Sequence, residues 1–78
     1  MEREIIGKLQ DFLGKDLSNY LEEDLIHTGI VDSFGFTQLL LYIEEEFGIS
    51  FSEEDMEDRN IKTLKGLVEK ITNKLSER

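Results

Sequence analysis

Apolar residues recur at three- and four-residue spacing in three stretches of the chain, which is the pattern of helices with one buried face. The first stretch runs from about residue 2 to 13, the second from 33 to about 47, and the third follows Thr63, which can cap it. Gly14 and Gly48 end the first two, since glycine commonly terminates helices. The apolar stripes consist of Ile5, Ile6, Leu9, Phe12 and Leu13; Phe36, Leu39, Leu40, Ile43 and Phe47; and Leu64, Leu67, Val68, Ile71 and Leu75. The spacing predicts three main helices around a shared core.

The long connection between the first two predicted helices lacks this periodicity. From Lys15 to Val31, isolated apolar residues alternate with Asp, Ser, Asn and Thr. The apolar residues scattered through its first part are Leu17, Tyr20, Leu21, Leu25 and Ile26. We therefore expect a loop that these residues anchor, and we place a short helical turn at residues 22–26 because long loops in small domains often contain one.

A shorter connection separates the second and third main helices. Within it, Ser52 is followed three residues later by Asp55, which is close to the capping-box pattern at the start of a helix. This pattern predicts one or two turns of a short helix, with Met56 facing inward. The expected fold is therefore all-α, a small bundle of three main helices plus a short fourth, formed by a single domain over residues 1–78.

The charge of the chain is unevenly distributed. The formal net charge is −9, and no Lys or Arg occurs between Lys15 and Arg59, although most of the 18 acidic residues lie in that interval. A negative field of this kind repels nucleic acid and anionic lipid, and it attracts basic protein surfaces. We therefore expect protein partners with basic patches, although acidity that serves only solubility is an alternative.

Several classes of site are absent from the sequence. There is no Cys, and His27 is the only histidine, which argues against structural zinc and assigns His27 a structural or surface role. The acidic run at residues 53–58 lacks the alternating ligands, central Gly and terminal Glu of an EF-hand, so we expect no metal site. Neither a signal peptide nor an apolar run of about 20 residues is present, and we expect a cytoplasmic protein.

The start of the second predicted helix carries the candidate chemistry. Asp32 is suited to be the N-cap, which makes Ser33 the first helical residue. A serine hydroxyl there lies at the positive end of the helix dipole, where an attached phosphate would meet unpaired N–H donors. A simple helix cap is the alternative. No base, paired histidine or glycine-rich phosphate loop accompanies Ser33, so the residues contain no recognisable catalytic set.

One face of the same helix is predicted to stay uncovered. At about 100° per residue, Phe34, Gln38, Leu41 and Glu45 project roughly opposite to the core stripe. Two large apolar residues on an otherwise polar face predict a patch where a protein partner docks. The alternative is that a later helix of the same chain covers them.

The chain resembles the acyl carrier protein family. The likeness is carried by Leu25, by GIVDSF at residues 29–34, by LL at residues 39–40 and by IEEEFGI at residues 43–49. It continues through the turn at residues 52–56 and the last helix. The resemblance implies a right-handed, antiparallel helical bundle in which Ser33 carries 4′-phosphopantetheine, added from coenzyme A by a separate magnesium-dependent transferase. Asp32 matches the Asp that precedes this serine in the family. The resemblance also implies that the chain is not an enzyme and that the arm's thiol holds a carboxylic acid as a thioester.

The resemblance also implies how partners are bound. Family members dock through a face of the second helix that coincides with the exposed face described above, and we add Glu53 and Glu54 to the predicted docking residues. The implied partners are a phosphopantetheinyl transferase and acyl or aminoacyl ligases or synthases with basic patches. We expect the carrier itself to be a monomer.

Three positions depart from the pattern of fatty-acid-synthesis carriers. Gln38 replaces their usual Glu, Gly35 replaces their usual Asp, and Phe36 replaces a smaller residue and would narrow any acyl cavity. The run QLLL at residues 38–41 instead resembles D-alanyl carrier proteins. We expect a discrete acyl carrier of a lipid or specialised biosynthetic pathway. The alternatives are an aminoacyl, D-alanyl-type carrier loaded by an adenylating ligase and, third, an acidic docking module that never receives the arm.

Overall fold

The protein is described here from a computed structural model that covers residues 2–17, 19 and 22–77. These residues form four α-helices: α1 (Glu2–Leu13), α2 (Ser33–Phe47), α3 (Glu53–Glu57) and α4 (Leu64–Ser76). A 3₁₀ helix, Arg59–Lys62, immediately precedes α4 and was not expected from the sequence. No strand occurs among the described residues, so the prediction of an all-α fold with three main helices and a short fourth is confirmed.

The helices end where the sequence predicts. Gly14 follows α1 with φ +68°, and Gly48 ends α2 in the left-handed conformation with φ +66°. The Gly48 N–H donates to the Glu44 carbonyl at 3.0 Å, which satisfies one of the last carbonyls of α2. Residues with a Cβ rarely adopt this conformation, and glycine therefore determines both helix ends.

The core lies between the three main helices. Lys8 pairs with Glu46, and the rings of Phe12 and Tyr42 stack with centroids 4.4 Å apart, so residues of α1 and α2 meet in opposite order and the two helices are antiparallel. Phe12 departs from its predicted core position, because its ring lies on Tyr42 at the surface. Among the described residues, the largest fully buried side chains are Ile5, Leu9, Leu17, Leu25, Leu39, Ile43, Ile61, Leu64, Leu67 and Ile71.

The loop between α1 and α2 is anchored as expected at the residues that the structure describes. Leu17 and Leu25 are fully buried, and Ile26 is half-buried, whereas the predicted anchors Tyr20 and Leu21 lie outside the described residues. The turn occupies residues 24–28 instead of 22–26. The reason for the shift is that the Asp24 side chain accepts hydrogen bonds from the backbone that follows it, which makes Asp24 the first residue of the turn.

Helix α3 contacts the rest of the protein through charge. The predicted capping box is present, with Ser52 and Asp55 each accepting a hydrogen bond from the other's backbone N–H. Met56 is 44% exposed, so the prediction that it faces inward is wrong. The side of α3 that faces α4 carries Asp55, which pairs with Lys70 and Lys74 of α4. The five-residue helix therefore has no buried residue of its own.

Candidate functional site

Asp32 caps α2 in the geometry that the sequence predicts. Its backbone is extended, and its Oδ1 accepts a hydrogen bond from the Gly35 N–H at 2.6 Å. Its carbonyl accepts the Phe36 N–H at 2.8 Å, which is the first hydrogen bond of the helical ladder. Ser33 is therefore the first residue of α2, on the exposed surface of the protein.

The N-terminus of α2 retains unpaired donors beside Ser33. The cap occupies the N–H groups of Gly35 and Phe36, and among the described residues the N–H groups of Ser33 and Phe34 have no acceptor. These two groups point out of the helix end, where the helix dipole is positive. A phosphodiester attached to the Ser33 hydroxyl fits this environment, since its oxygens can accept from the free N–H groups.

The residues before Ser33 are held against the body of the protein. Val31 is buried, and its N–H donates to the Leu25 carbonyl at 3.1 Å. Leu25 in turn donates its own N–H to the Lys62 carbonyl at 2.8 Å, and an isolated β-bridge joins Asp24 to Thr63. The chain is thus attached on one side of Ser33 by these hydrogen bonds and on the other by α2.

The structure leaves the predicted docking face of α2 uncovered. Phe34 is 72% exposed and Leu41 is 49% exposed, and Gln38 and Glu45 are exposed between and beyond them. The alternative that a later helix covers these side chains is therefore wrong. Glu53 and Glu54 are exposed on α3. The docking role of all six residues stays a prediction.

The core-facing side of α2 consists of buried apolar side chains. Phe36 is buried in the core, together with Leu39 and Leu40. A pocket of about 500 Å³ lies elsewhere, between Ile6 of α1, Val68 of α4 and the loop between α1 and α2. None of the predicted site residues lines this pocket.

The described residues bring no catalytic group to Ser33. Its hydroxyl has no hydrogen-bond partner among them, and its carbonyl accepts from the Thr37 hydroxyl at 3.2 Å. His27 is exposed, and its backbone N–H donates to Asp24 at 2.9 Å. Over the same residues, no group of three or more His, Asp or Glu side chains could hold a metal ion. No helix among them has the length and apolar character needed to cross a lipid bilayer.

Two charged residues with structural roles were missed by sequence reasoning. Asp24 organises the turn before the site, and its position four residues before Thr28 and five before Gly29 is a turn signal that could have indicated it. Asp55 was recognised as a capping residue but not as the partner of Lys70 and Lys74. No local pattern indicates that pairing, because the lysines lie on another helix.

Comparison with known proteins agrees with the geometry of this site. Residues 3–71 match the family described as phosphopantetheine attachment site. The D-alanyl carrier protein of Streptococcus suis strain 98HAH33 is 34% identical over 70 residues, which cover 83% of this chain and 87% of the relative. D-alanyl carrier protein 2 of Lactiplantibacillus plantarum is 33% identical over 69 residues, which cover 88% of this chain and 86% of the relative. The D-alanyl carrier protein of Streptococcus suis strain 05ZYH33 is 31% identical over 70 residues.

Proposed function

This chain belongs to the family of carrier proteins with a phosphopantetheine attachment site, and we propose that it is a discrete aminoacyl carrier whose arm is attached to Ser33. Proteins of this family bear covalently attached 4′-phosphopantetheine and are not enzymes. The cargo that we propose is a small amino acid, with D-alanine first, held as a thioester. Residues 1–78 form one domain in this proposal.

The position of Ser33 supports the attachment site. Ser33 is exposed at a helix N-terminus, and among the described residues its hydroxyl has no hydrogen-bond partner and the N–H groups of Ser33 and Phe34 have no acceptor. These features let a transferase reach the hydroxyl, and they provide a favourable environment for the phosphate that results. Because the described residues provide no base beside Ser33, we assign the activation of the hydroxyl to the transferase.

The proposed cargo is based mainly on which known proteins resemble this chain. Three proteins that match most of this chain at 31% to 34% identity are D-alanyl carriers. The QLLL run at residues 38–41 and the neutral residues Gly35 and Gln38 agree with this choice, since fatty-acid carriers usually have acidic residues at the two latter positions. These observations favour the aminoacyl alternative over the lipid or specialised acyl carrier that we expected first.

The functions of a carrier are divided among several residues of this chain. Asp32 caps α2 and thereby orients Ser33, and the helix N-terminus receives the phosphate. The attached arm supplies a thiol that holds the amino acid as a thioester. Phe34 and Leu41 provide apolar contacts to a partner, and Gln38, Glu45, Glu53 and Glu54 provide polar contacts around them.

The proposed partners follow from this division. They are a phosphopantetheinyl transferase, which uses coenzyme A and magnesium, and an adenylating ligase, which loads the thiol. Both would approach the exposed carboxylates Glu45, Glu53 and Glu54 with basic patches, so their association should weaken as salt increases. We propose that the carrier acts as a monomer in the cytoplasm, where coenzyme A and the nucleotide for adenylation are available.

The experiment that tests this function is an intact-mass measurement in two steps. The apo protein is first incubated with coenzyme A, magnesium and a broad-specificity phosphopantetheinyl transferase. We expect wild type to gain one phosphopantetheine and Ser33→Ala to gain none. Ser50→Ala is the matched control, because Ser50 is also exposed but lies outside the site, and it should be modified like wild type.

In the second step, the modified protein is offered D-alanine, L-alanine or a fatty acid with the corresponding adenylating ligase and ATP. A D-alanyl thioester that hydroxylamine removes supports the proposal. If only the fatty acid is loaded, the chain is an acyl carrier and the aminoacyl proposal is wrong. If a verified apo wild type gains no mass in the first step, the carrier role of this chain is wrong and a docking module takes its place.

A further inference from the structure

A turn built on Asp24 lies nine residues before Ser33. The Asp24 Oδ1 accepts hydrogen bonds from the N–H groups of Ile26 at 2.8 Å and His27 at 2.9 Å. The Asp24 carbonyl accepts the N–H of Thr28 at 3.0 Å and its hydroxyl at 2.8 Å. Four hydrogen bonds to one residue therefore close the turn.

Leu25 connects this turn to the body of the protein. Its side chain is fully buried, and its N–H donates to the Lys62 carbonyl at 2.8 Å, in the 3₁₀ helix before α4. Its carbonyl remains available to the chain that returns from the turn, and it accepts the Val31 N–H at 3.1 Å. Gly29, with φ +81°, provides the change of direction that this return requires.

Val31 links the turn to the attachment site. It is buried, and it is followed directly by the N-cap Asp32 and then by Ser33. A continuous series of backbone hydrogen bonds thus runs from the 3₁₀ helix through Leu25 to Val31, two residues from the hydroxyl. The Asp24 carboxylate sets the conformation of the turn in which the Leu25 carbonyl meets the Val31 N–H.

We propose that Asp24 is a positioning residue for the attachment of phosphopantetheine to Ser33, acting through the Leu25–Val31 hydrogen bond; this rests on the proposed function of Ser33. Without the Asp24 carboxylate, the turn loses two of its hydrogen bonds, and Ser33 is presented in a wider range of positions. Transfer to a hydroxyl is sensitive to such displacement, because the reacting atoms must be aligned within a fraction of an ångström.

The contacts of Asp24 distinguish this role from a role in docking. Its carboxylate faces the backbone of its own loop, where the hydrogen bonds from His27 and then from Ile26 hold the pKa of Asp24 below its ordinary value. Glu23 is the neighbouring carboxylate and is exposed. Removing Glu23 changes the charge of the loop equally without removing a hydrogen bond of the turn, so Glu23→Ala is the matched control.

The test compares rates of phosphopantetheine attachment, with temperature chosen so that every variant is folded by circular dichroism. For Asp24→Ala we expect kcat of the transferase to fall roughly tenfold, with the KM for the carrier changed less than about twofold. Asp24→Asn should restore the rate, because the Asn side-chain oxygen accepts the same two hydrogen bonds. Glu23→Ala should behave like wild type.

Two further variants separate the proposed role of Asp24 from a general loss of stability. Ile71→Val removes a methyl group from the core away from the loop, and it should lower stability without lowering the rate. Thr28→Val removes the hydroxyl that donates to the Asp24 carbonyl at 2.8 Å and to the Leu25 carbonyl at 3.4 Å, and it should give an intermediate rate even if Asp24→Ala does not fold. Hydrogen exchange at the Val31 N–H should accelerate in Asp24→Ala and return to the wild-type rate in Asp24→Asn.

Three results would overturn the inference while leaving the proposed function intact. They are an Asp24→Ala variant as fast as wild type, an Asp24→Asn variant as slow as Asp24→Ala, or an Ile71→Val variant slowed to the same extent. If wild type itself is not modified, the proposed function and the inference both fail. This result differs from the three above, because in each of those wild type is still modified.

Discussion

The Asp55 carboxylate and the Lys74 ammonium lie 2.7 Å apart, and this ion pair joins α3 to α4. Lys70 contacts the other oxygen of Asp55 at 3.3 Å, and the Ser52 N–H donates to the same carboxylate at 2.9 Å. The Lys74 ammonium also lies 5.8 Å from the centre of the Phe51 ring. Because α3 has no buried residue, ionic contacts carry a large part of its attachment to α4.

Asp55→Asn tests this attachment through its pH dependence. The Lys74 hydrogen bond, followed by that of the Ser52 N–H, holds the pKa of Asp55 well below its ordinary value of 3.8. A depressed pKa contributes stability that is fully present above the ordinary value and is lost as the pH falls below it. We expect Asp55→Asn to lower the free energy of unfolding by about 1 to 2 kcal/mol near neutral pH.

The measurement is urea unfolding at about pH 7 and at about pH 3, which lies below the ordinary pKa of an aspartate side chain. Wild type should lose more stability between the two conditions than Asp55→Asn does. Glu57→Gln is the control, since Glu57 is an exposed carboxylate on the same helix. An equal loss in wild type and Asp55→Asn would contradict the assigned role.

Gly66 allows the 3₁₀ helix to approach α4 closely. A Cβ on Gly66 would lie 1.7 Å from the Asn60 carbonyl oxygen, which is a backbone atom that cannot rotate away. We expect Gly66→Ala to destabilise the protein by about 2 kcal/mol or more, because the two segments must separate. Gly7 in α1 has open space around its Cβ position, so Gly7→Ala should gain up to about 1 kcal/mol. Chemical denaturation measures both, and similar effects of the two variants would show that the close approach is unimportant.

Leu41→Arg tests the docking face of α2. Because Leu41 is about half exposed, the change in unfolding free energy should stay within about 0.5 kcal/mol. The KM of the adenylating ligase for the carrier should rise, since an apolar contact is replaced by a positive charge facing a basic patch. Leu40→Arg is the contrasting variant, because Leu40 is buried and the same substitution there should unfold the protein. Unfolding by Leu41→Arg as well would place Leu41 in the core.

The cap at Asp32 can be tested without changing the site's serine. Asp32→Ala removes the acceptor of the Gly35 N–H and should cost about 1 kcal/mol of stability. Asp32→Asn keeps an acceptor oxygen and should stay within about 0.5 kcal/mol of wild type, since Asn and Asp are similar N-caps. Thermal unfolding compares the three proteins. Equal destabilisation by both substitutions would mean that the negative charge, and not the hydrogen bond, stabilises the helix start.

Local sequence patterns determined much of this architecture. The three- and four-residue spacing located the main helices, and the caps at Asp32, Ser52 and Thr63 were predicted and are present. The exposure of Phe34 and Leu41 also followed from helix angles alone. These features depend on residues within one or two helical turns of each other, so the local sequence is sufficient to predict them.

Tertiary structure decided the features that join distant segments. Met56 was expected to face inward, but the lysines of α4 turn Asp55 toward the body instead, and Phe12 lies on Tyr42 at the surface. The connection of Leu25 to Lys62 likewise joins residues far apart in the chain. Periodicity shows which residues share a face of a helix. The packing of other segments determines what covers that face, and that depends on the positions of all the helices together.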